Sequence, residues 1–162
     1  FVAGHDTLLP FEPEALGDVT GLDLVHLQCH MGMDALSWAR RGARVTGLDF
    51  SAPAIGTARG LAERIGVEAR FEVADVYHAV DVLGSTYDIT YQSLGSLNWH
   101  PDMARWAGIL HALTRPGGRY CLLEGHPMGW VLDDAGEQVE YPYFPVPGGQ
   151  RISDDGPAPL PR

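Results

Sequence analysis

Apolar residues in this chain form short continuous runs, and stretches with helical spacing separate those runs. Runs of this length are typical of strands buried in a parallel sheet, and they occur at residues 22–27, 44–49, 69–73, 87–92 and 119–124. Spacings of three or four residues between apolar positions predict helices over residues 33–41, 52–65, 77–83 and 103–113. The alternation predicts an α/β fold, with a mostly parallel sheet that helices cover on both faces.

Capping and turn residues punctuate these elements. Ser51 has the side chain of a helix N-cap, and Pro53 suits the first turn that follows it. Gly66 is predicted to end the same helix. Residues 115–118, with the sequence Arg-Pro-Gly-Gly, predict a turn that precedes the last strand.

The domain organisation follows from length and local composition. With 162 residues, 45% of them hydrophobic, the chain is long enough for one domain with a core of its own. Residues 1–21 form an N-terminal segment, residues 22–126 form the core domain, and residues 127–162 are predicted to be a proline- and glycine-rich loop or tail. Phe1 stands where a methionine would begin a complete product, so we expect the chain to start inside a longer one.

Charge and cysteine usage exclude several classes of function. The formal net charge is −10, and all eleven basic residues are arginine. A nucleic-acid surface needs clustered positive charge, so a nucleic-acid partner is not expected. No apolar run approaches the roughly 18 residues that a membrane span needs. Cys29 and Cys121 lie in apolar runs, as reduced thiols of a cytoplasmic protein would.

Chemistry-bearing residues follow the predicted strands. Since parallel strands of one sheet end at the same edge, and open α/β sheets bind ligands there, we expect these residues to meet: 28–32, Asp49, 74–76, 92–93 and 124–126.

The unit from Leu24 to Asp49 is typical of a nucleotide site. Its turn brings main-chain N–H groups to the ligand, and the acid that ends the second strand, Asp49, accepts hydrogen bonds from ribose hydroxyls. Phe50 beside it is suited either to core packing or to stacking on adenine.

Several motifs in the same order resemble class I S-adenosylmethionine-dependent methyltransferases. The resemblance covers roughly residues 18–127 and rests on LVHLQCHMG, VTGLDF, FEVADV, YDITYQS and LTRPGGRYCLLE. It implies a doubly wound, Rossmann-like fold, S-adenosyl-L-methionine as cofactor and methyl transfer to a small-molecule acceptor. The wording LQCHMGMDALSWARRGARVTGLDFS, with YQSLGSLNW later, further resembles a subgroup with Q-C-H in the first motif.

The resemblance also implies which residues bind the cofactor, and the chain departs from the family's common first motif at several positions. Together with the strand-end argument it implies this set: Gln28, His30, Gly32, Asp49, Phe50, Ala74, Asp75, Val76 and Gln92. Asp75 is implied to face the adenine amino group, although it also suits a helix cap. The common first motif has glycines at positions 28 and 30 and an acid at position 26, whereas this chain has Gln28, His30 and His26. Two strands that usually complete the sheet are missing from the pattern after residue 126.

The sequence indicates no catalytic residue as clearly as it indicates the cofactor-binding residues. A general base, if the acceptor needs one, is sought among His100, Glu124 and His126, which lie at or after strand ends. Tyr91 and Trp99 suit either contact with a sulfonium or pocket walls.

Other functions compete with methyl transfer. His26, Cys29 and His30 raise a zinc alternative, which the strand geometry disfavours because His26 and Cys29 point to opposite faces. No metal is therefore expected. A nicotinamide-dependent oxidoreductase and a non-catalytic ligand-binding domain remain the alternative functions. The acceptor and the oligomeric state do not follow from the sequence.

Overall fold

A five-stranded parallel sheet forms the centre of the molecule in this computed structural model. The structure describes residues 1–133, 135–144, 152–153 and 156–157. The strands are β1 (Asp23–Leu27), β2 (Arg44–Asp49), β3 (Arg70–Val73), β4 (Tyr87–Gln92) and β5 (Thr114–Leu122). Their order is β3-β2-β1-β4-β5, and every neighbouring pair is parallel. The predicted doubly wound, Rossmann-like fold is confirmed.

Helices accompany the sheet, and those between successive strands lie close to the positions that the spacing predicts. They are α1 (Phe11–Leu16), α2 (Met33–Arg40), α3 (Ala52–Ile65), α4 (Ala79–Leu83), α5 (Met103–Leu113) and α6 (Met128–Val131). The hydroxyl of Ser51 accepts a hydrogen bond from the Ala54 N–H at 3.3 Å, so Ser51 is the N-cap of α3 as predicted. Gly66 ends α3 in a left-handed conformation.

The core lies on both faces of the sheet because successive strand residues point to opposite sides. Leu24 belongs to the cluster on the face of α2 and α3, with Trp38, Ile55 and Tyr91. Val25 and Leu27 belong to the opposite cluster, which is made largely from α4, α5 and the strands. Both faces of β1 are therefore buried, which explains its nearly continuous apolar run.

The strand order reverses beside β1, which positions the site. Crossovers leave β1 towards β2 on one side, whereas β4 lies on its other side. Leu27 pairs with Leu48 and His26 pairs with Tyr91, so the ends of β1, β2 and β4 lie at one edge. Such a switch point opens a crevice outside the carboxyl ends of the strands.

The predicted start of the last strand was wrong. β5 begins at Thr114 rather than at residue 119, and it ends at Leu122 rather than at residue 124. The predicted turn at residues 115–118 is instead a bulge inside β5, since Tyr87 pairs with Thr114 and Ile89 already pairs with Arg119. Gly117 takes a positive φ of 78° in this bulge. Turn residues can thus interrupt a strand without ending it.

Two further predictions of local structure also need correction. The segment predicted as one helix over residues 77–83 begins as a 3₁₀ helix, Val76–His78, and continues as α4. Asp75 caps its first turn by accepting a hydrogen bond from the Tyr77 N–H at 2.8 Å. In the segment predicted to be only a loop or tail, α6 is present.

Residues from Gly125 onward form a second compact unit. It contains α6, a bridge between Leu132 and Val139, and the antiparallel strands β6 (Ile152–Ser153) and β7 (Gly156–Pro157). The rest of the predicted tail, residues 134, 145–151, 154–155 and 158–162, lies outside the described residues.

Candidate cofactor-binding site

A cleft of about 680 Å³ opens at the switch point of the sheet. Its walls come from the N-terminal segment, the turn after β1, the end of β2 and the loop after β4. The described lining residues are Thr7, Leu9, Glu12, Gln28, Cys29, His30, Met31, Gly32, Met33, Asp34, Asp49, Phe50, Ser51, Ser93, Leu94, Gly95, Ser96, Trp99 and Leu123. The cleft volume falls within the roughly 300–1,000 Å³ that is usual for small-molecule sites.

The turn after β1 has an unusual main-chain conformation. Gln28 and His30 have positive φ values of 55° and 50°, and they are the residues other than glycine with positive φ among those the structure describes. A left-handed conformation costs a residue with a Cβ roughly 1–2 kcal/mol. The turn therefore adopts at Gln28 and His30 a conformation that glycine would adopt without strain.

Gly32 closes the turn and has a steric role of its own. Its φ is 73°, and a Cβ placed there would lie 2.8 Å from the Ala58 Cβ and 2.8 Å from the Phe71 ring. Neither neighbour is the end of a flexible chain, because Ala58 belongs to α3 and Phe71 is buried in the core. Gly32 is thus required for packing as well as for the turn.

The Asp49 carboxylate joins β2 to this turn. Its Oδ2 accepts the His30 N–H at 2.9 Å, and its Oδ1 accepts the Ser51 N–H at 2.9 Å. Asp49 is buried and yet lines the cleft. A carboxylate has about four acceptor sites, so two main-chain donors leave capacity for ligand hydroxyls. Phe50, which follows, also lines the cleft and is 75% exposed, which excludes the core-packing interpretation.

The residues after β3 lie at the same edge of the sheet but not in the wall of the cleft. The Ala74 N–H donates to the Asp49 carbonyl at 3.0 Å, so the two strand ends are adjacent. Asp75 is exposed and caps the 3₁₀ helix. The side chain of Val76 is buried in the core, which leaves only its main chain to contact a ligand. The structure thus brings Gln28, His30, Gly32, Asp49 and Phe50 together, with Ala74 and Asp75 beside them.

Gln92 occupies a different place from the one expected. It is fully buried and does not line the cleft. Its Nε2 donates to the Gln28 Oε1 at 2.6 Å, and its Oε1 accepts from the Trp106 Nε1–H at 3.2 Å and the Tyr120 hydroxyl at 3.1 Å. Gln92 therefore contacts the turn from the protein interior and not from the cleft.

The three candidates for a general base have different local environments. Glu124 accepts the N–H groups of Gly95, Ser96 and Leu97 at 2.8–3.0 Å, so its carboxylate anchors the loop after β4. His100 is buried, its ring packs against Tyr77 and Trp106, and burial lowers its pKa. His126 belongs to the second unit, where its Nδ1 accepts the Met128 N–H at 3.2 Å. Neither Glu124 nor His100 lines the cleft.

A buried acid in the N-terminal segment, Glu12, lies at the cleft but was not predicted from the sequence. Glu12 is 4% exposed and lines the cleft, where the Tyr91 hydroxyl donates a hydrogen bond to its carboxylate. Burial, with the Glu12 contact second, raises the pKa of Tyr91. Tyr91 packs edge-on against Trp38 and His26, so it is a core residue rather than a cleft wall. No motif marks Glu12, because its partner lies 79 positions away.

Cys29 and His26 are suited to structure rather than to metal binding or nucleophilic attack. Burial raises the pKa of the Cys29 thiol to about 12, so the reactive thiolate is scarce. Burial lowers the pKa of His26 to about 4, and its Nε2 lies 3.1 Å from the Ser93 Oγ. Within the described ranges, no three His, Cys, Asp or Glu side chains are grouped to hold a metal ion.

Comparison with known proteins identifies the family of this fold and cleft. Residues 22–118 match the family model described as a methyltransferase domain. The chain belongs to this methyltransferase family. That match covers β1 to the bulge of β5 and therefore includes the switch point and the turn.

Individual methyltransferases agree with the family model. The chain is 30% identical over 138 residues to the ubiquinone biosynthesis O-methyltransferase of Sodalis glossinidius (strain morsitans), which covers 84% of this chain and 54% of that protein. An S-adenosylmethionine-dependent methyltransferase structure from Mesorhizobium loti is 27% identical with a TM-score of 0.65, over 82% of this chain and 59% of that one. The magnesium protoporphyrin IX methyltransferase of Synechocystis PCC 6803 with bound SAM is 25% identical with a TM-score of 0.55, over 62% and 49%.

The predicted family is thereby confirmed, and with it the family's cofactor, S-adenosyl-L-methionine. The Q-C-H subgroup stays a prediction. The chain spans about half the length of the curated methyltransferases that it matches. Every described helix is too short or too polar to cross a bilayer.

Proposed function

We propose that this methyltransferase domain binds S-adenosyl-L-methionine in the cleft between the ends of β1 and β4 and transfers its methyl group to a small-molecule acceptor. The observation that carries the proposal is the Asp49 carboxylate, which ends β2, faces the cleft and holds the turn after β1 through the His30 N–H. A carboxylate at this place suits the two hydroxyls of a ribose.

The residues present fit the adenosine part of the cofactor. Gln28 and His30 keep the left-handed main chain that glycine would take, so the turn can approach the ligand closely. The exposed ring of Phe50 offers a face for stacking on adenine. Asp75, beside the end of β2, would meet the amino edge of the base with the part of its carboxylate that does not cap the 3₁₀ helix.

The cleft lining also restricts the acceptor. Among its described residues there is no lysine or arginine, whereas Glu12, Asp34 and Asp49 carry carboxylates. Leu94 and Trp99, which follow β4, line the cleft and are more than half exposed. The lining favours an uncharged or cationic acceptor with an apolar ring, and it disfavours a polyanion.

Methyl transfer from a sulfonium requires little covalent chemistry from the protein. The cofactor supplies an activated methyl group, so the chain must mainly align the acceptor and exclude water. Leu94 and Trp99, which are exposed residues of the cleft lining, would do both. The loop that carries them is anchored by Glu124, whose role we therefore propose to be positioning rather than proton transfer.

Equilibrium binding tests this proposal against its two alternatives. Isothermal titration calorimetry of the complete protein with S-adenosylmethionine, S-adenosylhomocysteine and NAD should show binding of the first two only. Preference for NAD would favour an oxidoreductase. Binding of the cofactor without methylation of any acceptor in a mass-shift screen of uncharged and cationic ring compounds would favour a ligand-binding domain.

A cytoplasmic location completes the proposal. Both cysteines are free thiols, as expected for a reducing compartment. The acidic charge also argues against a nucleic-acid partner. Fractionation of cells that express the complete protein tests the location, since recovery in a membrane or exported fraction would contradict it.

A further inference from the structure

The side chain of Gln28, which lines the cleft, is held by a buried residue that does not line it. Gln28 has a φ of 55°, a conformation that side-chain-bearing residues avoid. Its Oε1 accepts a hydrogen bond of 2.6 Å from the Nε2 of the fully buried Gln92. A glycine could take this φ unaided, but it could not make this bond. The chain thus combines a strained turn residue with a specific buried partner.

Three further contacts fix the direction of the Gln92 amide. The indole N–H of Trp106 can only donate, so the amide oxygen of Gln92 must face it. The Tyr120 hydroxyl donates to the same oxygen. The amide nitrogen is then left to face Gln28, and it lies 3.4 Å from the Nε2 of His100. Rotation of the amide would place two N–H donors against each other, at Trp106.

These contacts connect α5 and β5 to the turn. Trp106 is buried on α5, and Tyr120 belongs to β5. Both hold Gln92 at the end of β4, and Gln92 holds Gln28 at the end of β1. The His30 N–H, two residues further along the turn, is held by Asp49. The turn is therefore fixed at one end by a carboxylate and at the other by a buried amide.

We infer that Gln92 is a positioning residue that holds the cofactor turn in its left-handed conformation through the side chain of Gln28. The inference rests on the proposed binding of S-adenosylmethionine at this turn. It assigns Gln92 no contact with the cofactor. It also gives Gln28 a role that depends on Gln92, so the two side chains should act as one unit.

A double-mutant cycle tests the inference because glycine should not need the support. The complete protein is compared with Gln92→Met, Gln28→Gly and the double variant, with the dissociation constant of S-adenosylmethionine measured by calorimetry. Gln92→Met should weaken binding about 10-fold. In the Gln28→Gly background the same substitution should change the dissociation constant less than about 2-fold. This rescue by glycine is a readout that loss of core packing alone would not produce.

Two more variants separate positioning from general destabilisation. Thr90→Val removes another buried polar group of β4, whose Oγ1 contacts the Thr114 Oγ1 at 2.8 Å rather than the turn. It should leave the dissociation constant within about 2-fold of that of the original protein. Gln28→Met breaks the same bond from the turn side and should weaken binding as Gln92→Met does, even if the buried variant does not fold.

The outcomes are distinct. Equal weakening by Gln92→Met in both backgrounds, or no weakening in either, would overturn the inference while the proposed function stands. Wild-type affinity in Gln28→Met would do the same. Failure of the unsubstituted protein to bind S-adenosylmethionine would overturn the proposed function, and the inference with it.

Discussion

Asp49 Oδ2 accepts the main-chain N–H of His30 at 2.9 Å, so the residue that ends β2 also holds the turn that follows β1. Its Oδ1 accepts the Ser51 N–H, at the start of α3. One carboxylate thus organises the two segments that would surround a nucleoside. A ribose bound at Asp49 would therefore meet a preorganised acceptor, which lowers the cost of binding.

Asp49→Asn should weaken binding of S-adenosylmethionine about 10- to 100-fold. Asparagine has one acceptor oxygen, so one of the two main-chain donors loses its partner, and contacts to a charged acceptor are worth roughly 1.5–3 kcal/mol. Calorimetry measures the change. Asp81→Asn on the exposed surface of α4 is the matched control and should bind as the original protein does. Equal affinities of the two variants would refute the ribose assignment.

Gly32→Ala should lower the free energy of unfolding by about 2–4 kcal/mol. The new methyl group would overlap Ala58 and Phe71, and alanine disfavours a φ of 73°. Urea denaturation measures the loss. Gly56→Ala is the control, because Gly56 lies in α3 with open space at its Cβ position and should gain about 0.5–1 kcal/mol. An unchanged free energy of unfolding in Gly32→Ala would contradict the close packing of Gly32 against Ala58 and Phe71.

Acidification should destabilise the domain through His26. Burial lowers the pKa of His26 from 6.5 to about 4, although the nearby carboxylates of Asp34 and Asp49 act in the opposite direction. Between these two pH values the unfolded chain binds more protons than the folded one, so stability falls as pH falls. The contribution is about 3 kcal/mol. It is fully present above pH 6.5 and fully lost below pH 4.

Urea denaturation between pH 4 and pH 7 measures this dependence. His26→Gln, which removes the titratable imidazole, should show a shallower fall in stability, whereas His111→Gln on the exposed face of α5 should follow the original protein. A slope that is identical in His26→Gln and the original protein would mean that the imidazole is not the group responsible.

Glu124→Gln should loosen the loop that carries Leu94 and Trp99. The carboxylate accepts three consecutive main-chain N–H groups, and an amide oxygen cannot replace both of its oxygens. Hydrogen exchange at the amides of Gly95, Ser96 and Leu97 should accelerate at least about 10-fold. Exchange in α3 serves as the internal control. Unchanged protection of the three amides would contradict the anchoring role.

Much of the fold could be predicted from the sequence because the central strands of the sheet are buried on both faces, so their residues form continuous apolar runs. The bounds of β2 and β4 agree with the apolar runs to the residue. The β5 prediction failed because a proline and two glycines that normally mark a turn form a bulge inside the strand here. Local residue preferences cannot distinguish a turn that ends a strand from a bulge that pairing with β4 absorbs.

Site residues could be predicted where a motif falls at the end of a strand. They could not be predicted where their position depends on a contact with a residue far away in the sequence. Asp49 and the turn residues follow strands directly, so the sheet edge locates them. Glu12 lines the cleft only because α1 folds against Tyr91, a pairing without a sequence pattern. Gln92 ends its strand as expected, but the alternation of side chains turns it into the interior, towards Trp106.

The most direct test of the central claim is a crystal structure of the protein with S-adenosylhomocysteine. We expect the ribose hydroxyls to lie within about 3 Å of the Asp49 carboxylate, with adenine against Phe50. A nucleoside bound elsewhere, or bound in the cleft without contact to Asp49, would contradict the account.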